Sequence, residues 1–283
     1  MMMGESQGGR VAVVTGATSG IGEAVARGLA ADGARLVIVA RDPARTEAAL
    51  ASLAPPADGE HHAVLADLSS LAEVKHAASE IAAREPVIDL LVNNAGAVFA
   101  TRQVTPDGLE KTFALNHLAY LVMSLGLLPQ LRAAEQARIV NTSSGMHARH
   151  GLDFSDLQME RGYEGFKAYA RSKLCNILFT RALARRLAGA PVTVNAARPG
   201  FVATRFGEGD QGWRGVTLGA LKRFALSPDE GARTILHLST SPEVARASGG
   251  YFYKSRPATP SRAAMNDADA ERLWAVSVEL AEL

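Results

Sequence analysis

The sequence predicts an α/β fold: a doubly wound parallel sheet of about seven strands with helices on both faces. Apolar runs four to six residues long alternate with longer segments of helical period along most of the chain. No repeat or low-complexity linker interrupts that alternation. The length, 283 residues, suits one open α/β sheet rather than two separate cores. Strand–helix alternation implies parallel neighbours, because parallel strands need right-handed crossover connections that place helices on the sheet faces.

Taken in order, Val11–Val14 is a strand, Gly22–Ala31 a helix, Leu36–Ala40 a strand and Arg45–Leu53 a helix. Ala63–Leu65, Leu71–Arg84 and Leu90–Val92 continue the series as strand, helix and strand. A long helix follows near Gly108–Ala133, then a strand at Arg138–Thr142, a helix from Tyr169 to Ala188, a strand at Val192–Ala197 and a helix at Pro228–Ser239. Residues 1–9 are short, polar and Gly/Ser-rich and read as a disordered tail, leaving 10–283 as a single domain. Two stretches escape the alternation, Gly145–Lys167 and Thr204–Ser227, and connections of that length are often functional.

Composition narrows the function. Hydrophobic residues make up 47% and charged residues 21%, the balance of a globular protein, and the net charge of +1 supplies no field for nucleic acid or an anionic membrane. Cys175 stands alone, so neither an intrachain disulfide nor a cysteine cluster is available. The opening residues lack the pattern of a signal peptide and no apolar run is long enough to span a bilayer, so a cytoplasmic location without an integral membrane segment is expected.

The first strand leads into Thr15-Gly16-Ala17-Thr18-Ser19-Gly20-Ile21-Gly22 and then an Ala-rich helix. Glycines at a strand-to-helix turn permit a tight bend and close approach of backbone to a pyrophosphate, while the helix N-terminus offers amides and a positive dipole. This is the cradle of a Rossmann-like dinucleotide site, with Thr18, Ser19 and Ile21 expected to contact the cofactor beside Gly16, Gly20 and Gly22. The glycine spacing is three-then-one rather than the usual one-then-two. After the second strand the sequence reads Val39-Ala40-Arg41-Asp42, with alanine where a carboxylate would meet a free ribose hydroxyl. A guanidinium at Arg41 can grip a 2′-phosphate, which favours NADP(H) over NAD. The competing reading leaves Arg41 solvated and gives the ribose to Asp42.

Besides the glycine turn, the chain carries Asp67-Leu68, Asn93-Asn94-Ala95-Gly96, Asn116, Ser143-Ser144, Tyr169-Ala170-Arg171-Ser172-Lys173 and Pro199-Gly200. In this order the motifs resemble the short-chain dehydrogenase/reductase family over nearly the whole chain. The Ala-Arg-Asp triplet at 40–42, the insertion before Tyr169, the run 172–180 and the tail Gly249-Gly250-Tyr251-Phe252 with Leu273-Trp274 are similar to retinol-dehydrogenase-type members.

The resemblance implies an NADP(H)-dependent oxidoreductase moving a hydride between nicotinamide and a carbonyl or alcohol. It implies that Asp67 and Leu68 border the adenine, that Asn93 and the Ala95-Gly96 backbone line the cofactor, and that Pro199, Gly200, Val202 and Thr204 hold the nicotinamide end. Asn93 and Asn94 could equally serve only the turn after their strand. Tyr169 is the implied acid/base. Lys173 lies four residues on, so both share a helix face, and its ammonium should favour the phenolate while anchoring the nicotinamide ribose. Ser144 is the implied partner of the substrate oxygen, with Ser143 its rival. Asn116 would hold a water that links Lys173 to solvent, or would simply bond local backbone and kink its helix.

His147, His150, Asp153, Asp156 and Glu160 lie between Ser144 and Tyr169, but scattered carboxylates in a polar loop read as surface, and no metal is expected. The 204–227 segment mixes glycines with Phe206, Trp213, Leu218 and Phe224, which suits an apolar lid over a lipophilic ketone, aldehyde or alcohol, or packing against the sheet or a partner subunit. A homodimer or homotetramer fits as the assembly. Two further functions stay open: a biosynthetic ketoreductase of an unusual intermediate, and a non-catalytic dinucleotide-binding protein.

Overall fold

A computed structural model describes residues 7–200 and 226–283 of the chain. The six apolar runs form β1 (Val11–Thr15), β2 (Arg35–Ala40), β3 (His62–Leu65), β4 (Leu90–Asn93), β5 (Ala137–Thr142) and β6 (Val192–Arg198). With β7 (Tyr251–Tyr253) and β8 (Arg256–Pro257) they make one eight-stranded sheet in the order β3-β2-β1-β4-β5-β6-β7-β8, parallel except for β8. The count exceeds the expected seven by a two-residue hairpin return, whose turn residues Lys254 and Ser255 have φ of 51° and 58°.

Strand side chains alternate between two cores. Val13, Val37, Val39, Leu91, Ile139 and Val194 face α3 (Leu71–Arg84), α5 (Ala119–Gly126) and α7 (Gly165–Arg186). Val14, Leu36, Ile38, Val92 and Val140 face α1 (Gly20–Ala31) and α8 (Pro228–Thr240). Burial on both faces explains why these strands read as unbroken apolar runs. Helix starts follow local chemistry: Asp42 caps α2 (Pro43–Ala51), Ser70 caps α3, and Ser227 with Glu230 forms a capping box on α8.

The single helix expected over 108–133 is broken. It comprises α4 (Lys111–Phe113), a π turn (Ala114–Leu118), α5 and α6 (Leu128–Ala133). Pro129 has no amide to donate into the preceding turn, so α6 starts afresh. The π turn is centred on Asn116, which bonds residues outside the helix.

Near the C-terminus, α9 (Asp267–Leu280) packs across α7. Trp274 stacks on Phe179 with ring centres 6.0 Å apart, and Arg185 and Arg186 both pair with Glu271. Gln7 is buried and its amide donates to the Asp32 carbonyl at 2.9 Å, so residues 7–9 belong to the folded part.

The chain runs outward from β1 to β3 and then returns to β4 on the other side of β1. That reversal opens a crevice beyond the carboxyl ends of β1 and β4, the place where doubly wound sheets take ligands.

Candidate active site

The crevice has a volume of about 640 Å³. At its centre the β1–α1 turn is fixed by sterics. Gly16 and Gly20 have φ of 69° and 58°, and a Cβ on Gly22 would lie 2.2 Å from the Gly16 carbonyl oxygen. Ser19 stands at the N-cap of α1 in extended conformation, makes no side-chain capping bond, and lines the cleft with the first turn of the helix. Thr18, Ile21 and Gly22 line the same wall.

At one end, Arg41 and Arg45 line the cleft together. Asp42 is used as the α2 cap, accepting from the Arg45 amide at 3.0 Å, and this counts against giving it a ribose. Arg45 was not singled out in the sequence, although it lies one helical turn beyond Arg41. Asp67 and Leu68 close this end, the Asp67 carboxylate accepting from the Ser69 amide and hydroxyl.

Asn93 requires a correction. Its side chain is wholly buried beneath the crevice and donates to Ser124 Oγ at 3.0 Å and Asn141 Oδ1 at 2.9 Å. The wall is lined instead by Asn94, whose Nδ2 donates to the Thr15 carbonyl, followed by Ala95 and Gly96. Strand parity is the reason: adjacent residues leaving a strand point to opposite sides.

At the other end, Ser144, Tyr169, Lys173, Pro199 and Gly200 converge. Tyr169 and Lys173 share a face of α7, with Lys173 Nζ 5.6 Å from the Tyr169 ring centre, 5.4 Å from that of Tyr120, and donating to the Thr142 carbonyl at 3.1 Å. Ser144 hydrogen-bonds Tyr169, whereas Ser143 turns inward and donates to the Lys173 carbonyl at 2.8 Å. Burial disfavours both charged forms: it pushes the Tyr169 phenol up to about 12, against the lowering effect of Ser144, and brings Lys173 down to about 7. The expected phenolate is therefore not the form that the protein groups alone favour.

Asn116 does not line the cleft wall. Its Oδ1 accepts from the Ala97 amide, and its Nδ2 donates to the Ala97 carbonyl and to Ser172 Oγ. The amide thus clamps the β4 loop to α7 through both ends of its side chain. A Cβ on Gly96 would sit 3.1 Å from Asn116 Oδ1 and 3.4 Å from Lys173 Nζ, so the glycine lets the loop close over both.

Phe99, Gln103, Lys111 and Leu115 line the remaining wall and carried no sequence signal. The 145–167 stretch is held by Arg102 and Arg171, which donate to the carbonyls of Gln158 and Asp153. Val202, Thr204 and the 204–227 segment as far as residue 225 lie outside the described residues.

The short chain dehydrogenase family model matches residues 10–214. The chain belongs to the short-chain dehydrogenase family. This short-chain dehydrogenase is 37% identical to retinol dehydrogenase 14 of Mus musculus over 289 residues, covering 95% of this chain and 85% of that one. Among solved structures, it is similar to an uncharacterised protein from Mycobacterium paratuberculosis at 31% identity and a TM-score of 0.80, covering 99% and 96% of the two chains. It is also similar to a Burkholderia cenocepacia short-chain dehydrogenase in complex with NADP, at 29% identity and a TM-score of 0.69, covering 87% and 96%. It is accordingly an oxidoreductase of a family that works with a nicotinamide dinucleotide. No helix among its described residues is long and apolar enough to cross a membrane.

Proposed function

We propose that this protein is an NADP(H)-dependent oxidoreductase that interconverts a lipophilic aldehyde or ketone and its alcohol, with Tyr169 as acid/base. The carrying observation is one cleft that holds a pair of guanidiniums at one end and the Ser144–Tyr169–Lys173 group at the other. Arg41 and Arg45 take the 2′-phosphate, Ser19 and the α1 amides take the pyrophosphate, and Lys173 takes the nicotinamide ribose. A bound nicotinamide supplies or accepts the hydride.

The chain's own groups supply the rest. Burial keeps Tyr169 as a phenol, the form that can give its proton to a carbonyl oxygen during reduction. Ser144 donates to the same oxygen as negative charge gathers there, and Tyr169 sits within its reach. Lys173, at about 7, exchanges protons near neutrality and is suited to resupply Tyr169. Val98, Phe99 and Leu115 give apolar surface to the adjoining wall, which also carries Gln103 and Lys111, and the relative named retinol dehydrogenase 14 supports an apolar alcohol or aldehyde.

The test is NADPH oxidation against a carbonyl panel containing retinal, medium-chain aldehydes, bulky ketones and small charged carbonyls. The lipophilic members should turn over fastest, and NADPH should outperform NADH. Preference for small charged carbonyls would overturn the substrate class; NADPH binding without any turnover would favour the non-catalytic reading.

A further inference from the structure

Ser144 is held from behind by a residue that the mechanism does not use. Its carbonyl accepts two hydrogen bonds from His147, one from the backbone amide at 3.2 Å and one from ring Nδ1 at 2.7 Å. The other ring nitrogen, Nε2, accepts from the Ser261 amide at 3.0 Å. A backbone amide can only donate, so Nε2 is the acceptor and Nδ1 carries the hydrogen; the partners fix a single neutral tautomer. His147 is 4% exposed, and its ring meets that of Tyr251 edge-on, with centres 5.1 Å apart. Burial depresses the histidine's pKa, the bond to the Ser144 carbonyl opposes that, and the Arg198 cation adds to the depression. Arg198 itself packs on the turn: a Cβ on Gly145 would lie 2.7 Å from its Cζ.

The bonds constrain Ser144 from two sides. The carbonyl is pinned by His147, and the hydroxyl accepts from the Met146 amide at 3.2 Å while also bonding Tyr169. With both ends tied, any shift of the Ser144 backbone that would carry its hydroxyl away from Tyr169 would cost the Nδ1 bond and the Met146 contact. We propose that His147 is a positioning residue for the reaction, holding Ser144 in line with Tyr169 and tying that alignment to the C-terminal segment at Ser261. The inference rests on the catalytic reading of Ser144 and Tyr169 given above. It makes the serine's alignment depend on chain more than a hundred residues away, since His147 and Ser261 are 114 apart.

The test compares changes at His147, alone and in a Ser144→Ala background, in the NADPH-dependent reduction of the best panel substrate, with thermal melting and NADPH affinity measured alongside. His147→Leu fills the space against Tyr251 but donates nothing, and should lower kcat by about 10- to 100-fold with the KM for NADPH unchanged. His147→Asn keeps a donor at the position of Nδ1 and should recover kcat to within about tenfold of the parent. His147→Gln carries its amide one bond farther, toward Ser261, and should behave like Leu, which preserves the comparison if the Leu variant fails to fold. In a Ser144→Ala background the His147→Leu or His147→Gln change should cost less than about threefold, because its effect passes through the missing hydroxyl. Equal losses in both backgrounds, or an Asn variant no better than Leu or Gln, would overturn the proposal. Failure of the underlying reading is distinguishable, because it would show as Tyr169→Phe retaining the activity of the parent.

Discussion

The part of the cleft proposed for the adenosine and phosphates is made by three short stretches of chain, Gly16–Gly22, Arg41–Arg45 and Asp67–Ser69, each following its own strand. The proposed catalytic end draws Gly96, Ser144 and Pro199 from three separate loops and Tyr169 with Lys173 from α7, and is braced by chain from near the C-terminus. In the first region the working groups are backbone amides, glycines and solvated guanidiniums, which need little support from elsewhere. In the second they are buried and half-buried side chains whose orientation depends on others: Asn116 on Ala97 and Ser172, Ser144 on His147. Even the π turn leans on α9, where His117 Nε2 meets Ser277 Oγ at 2.9 Å. Local damage should therefore weaken binding at one end and turnover at the other.

The largest effect that can test this division is at Tyr169. Tyr169→Phe keeps the ring and its packing but removes the proton, so kcat should fall by about 10²- to 10⁴-fold, while NADPH affinity changes little. Steady-state kinetics with fluorescence titration of NADPH would check both halves. A variant that lost binding as well would show the two ends to be one mechanical unit.

Arg41→Asp should do the reverse. Losing a charge-assisted contact to the 2′-phosphate should raise the KM for NADPH by about 10- to 100-fold and leave kcat near the parent value. NADH should gain relative to NADPH, and an unchanged preference between them would remove Arg41 from the site. Arg41→Asp with Arg45→Ala measures the share carried by the second guanidinium.

The same division explains what was legible in the sequence. The glycine turn, Arg41 and the Tyr169–Lys173 spacing follow rules that operate within one helical turn or one strand end, and the structure places each at the cleft. Six of the strands were visible because burial on both faces makes continuous apolar runs. What escaped depends on distant partners. The exchange of Asn93 for Asn94 turns on strand parity one residue beyond β4. The break at Asn116 depends on a loop and a helix that the amide bridges. His147 looked like a loop histidine because Ser261, which fixes its role, lies far along the chain. The short β7 and β8 carry too few residues for a period to show.

Lys173 is proposed to serve both cofactor binding and turnover, and its effect is read in stability rather than in rate. Burial lowers its pKa from 10.5 to about 7 in the folded protein, so between those values the unfolded chain binds a proton that the folded one does not. The destabilisation is complete below about 7 and is relieved as pH rises toward 10.5, so stability should increase through this window. One proton limits the slope to about 1.4 kcal/mol per pH unit. Chemical denaturation of the cofactor-free protein across the window should show the rise, and Lys173→Met should remove most of it. Saturating NADP⁺ should also flatten it: ribose hydroxyls accepting from the ammonium would hold Lys173 charged in the folded state and bring its pKa back toward that of the unfolded chain. A slope that persisted in the presence of NADP⁺ would separate Lys173 from the cofactor and leave it a purely structural neighbour of Tyr169.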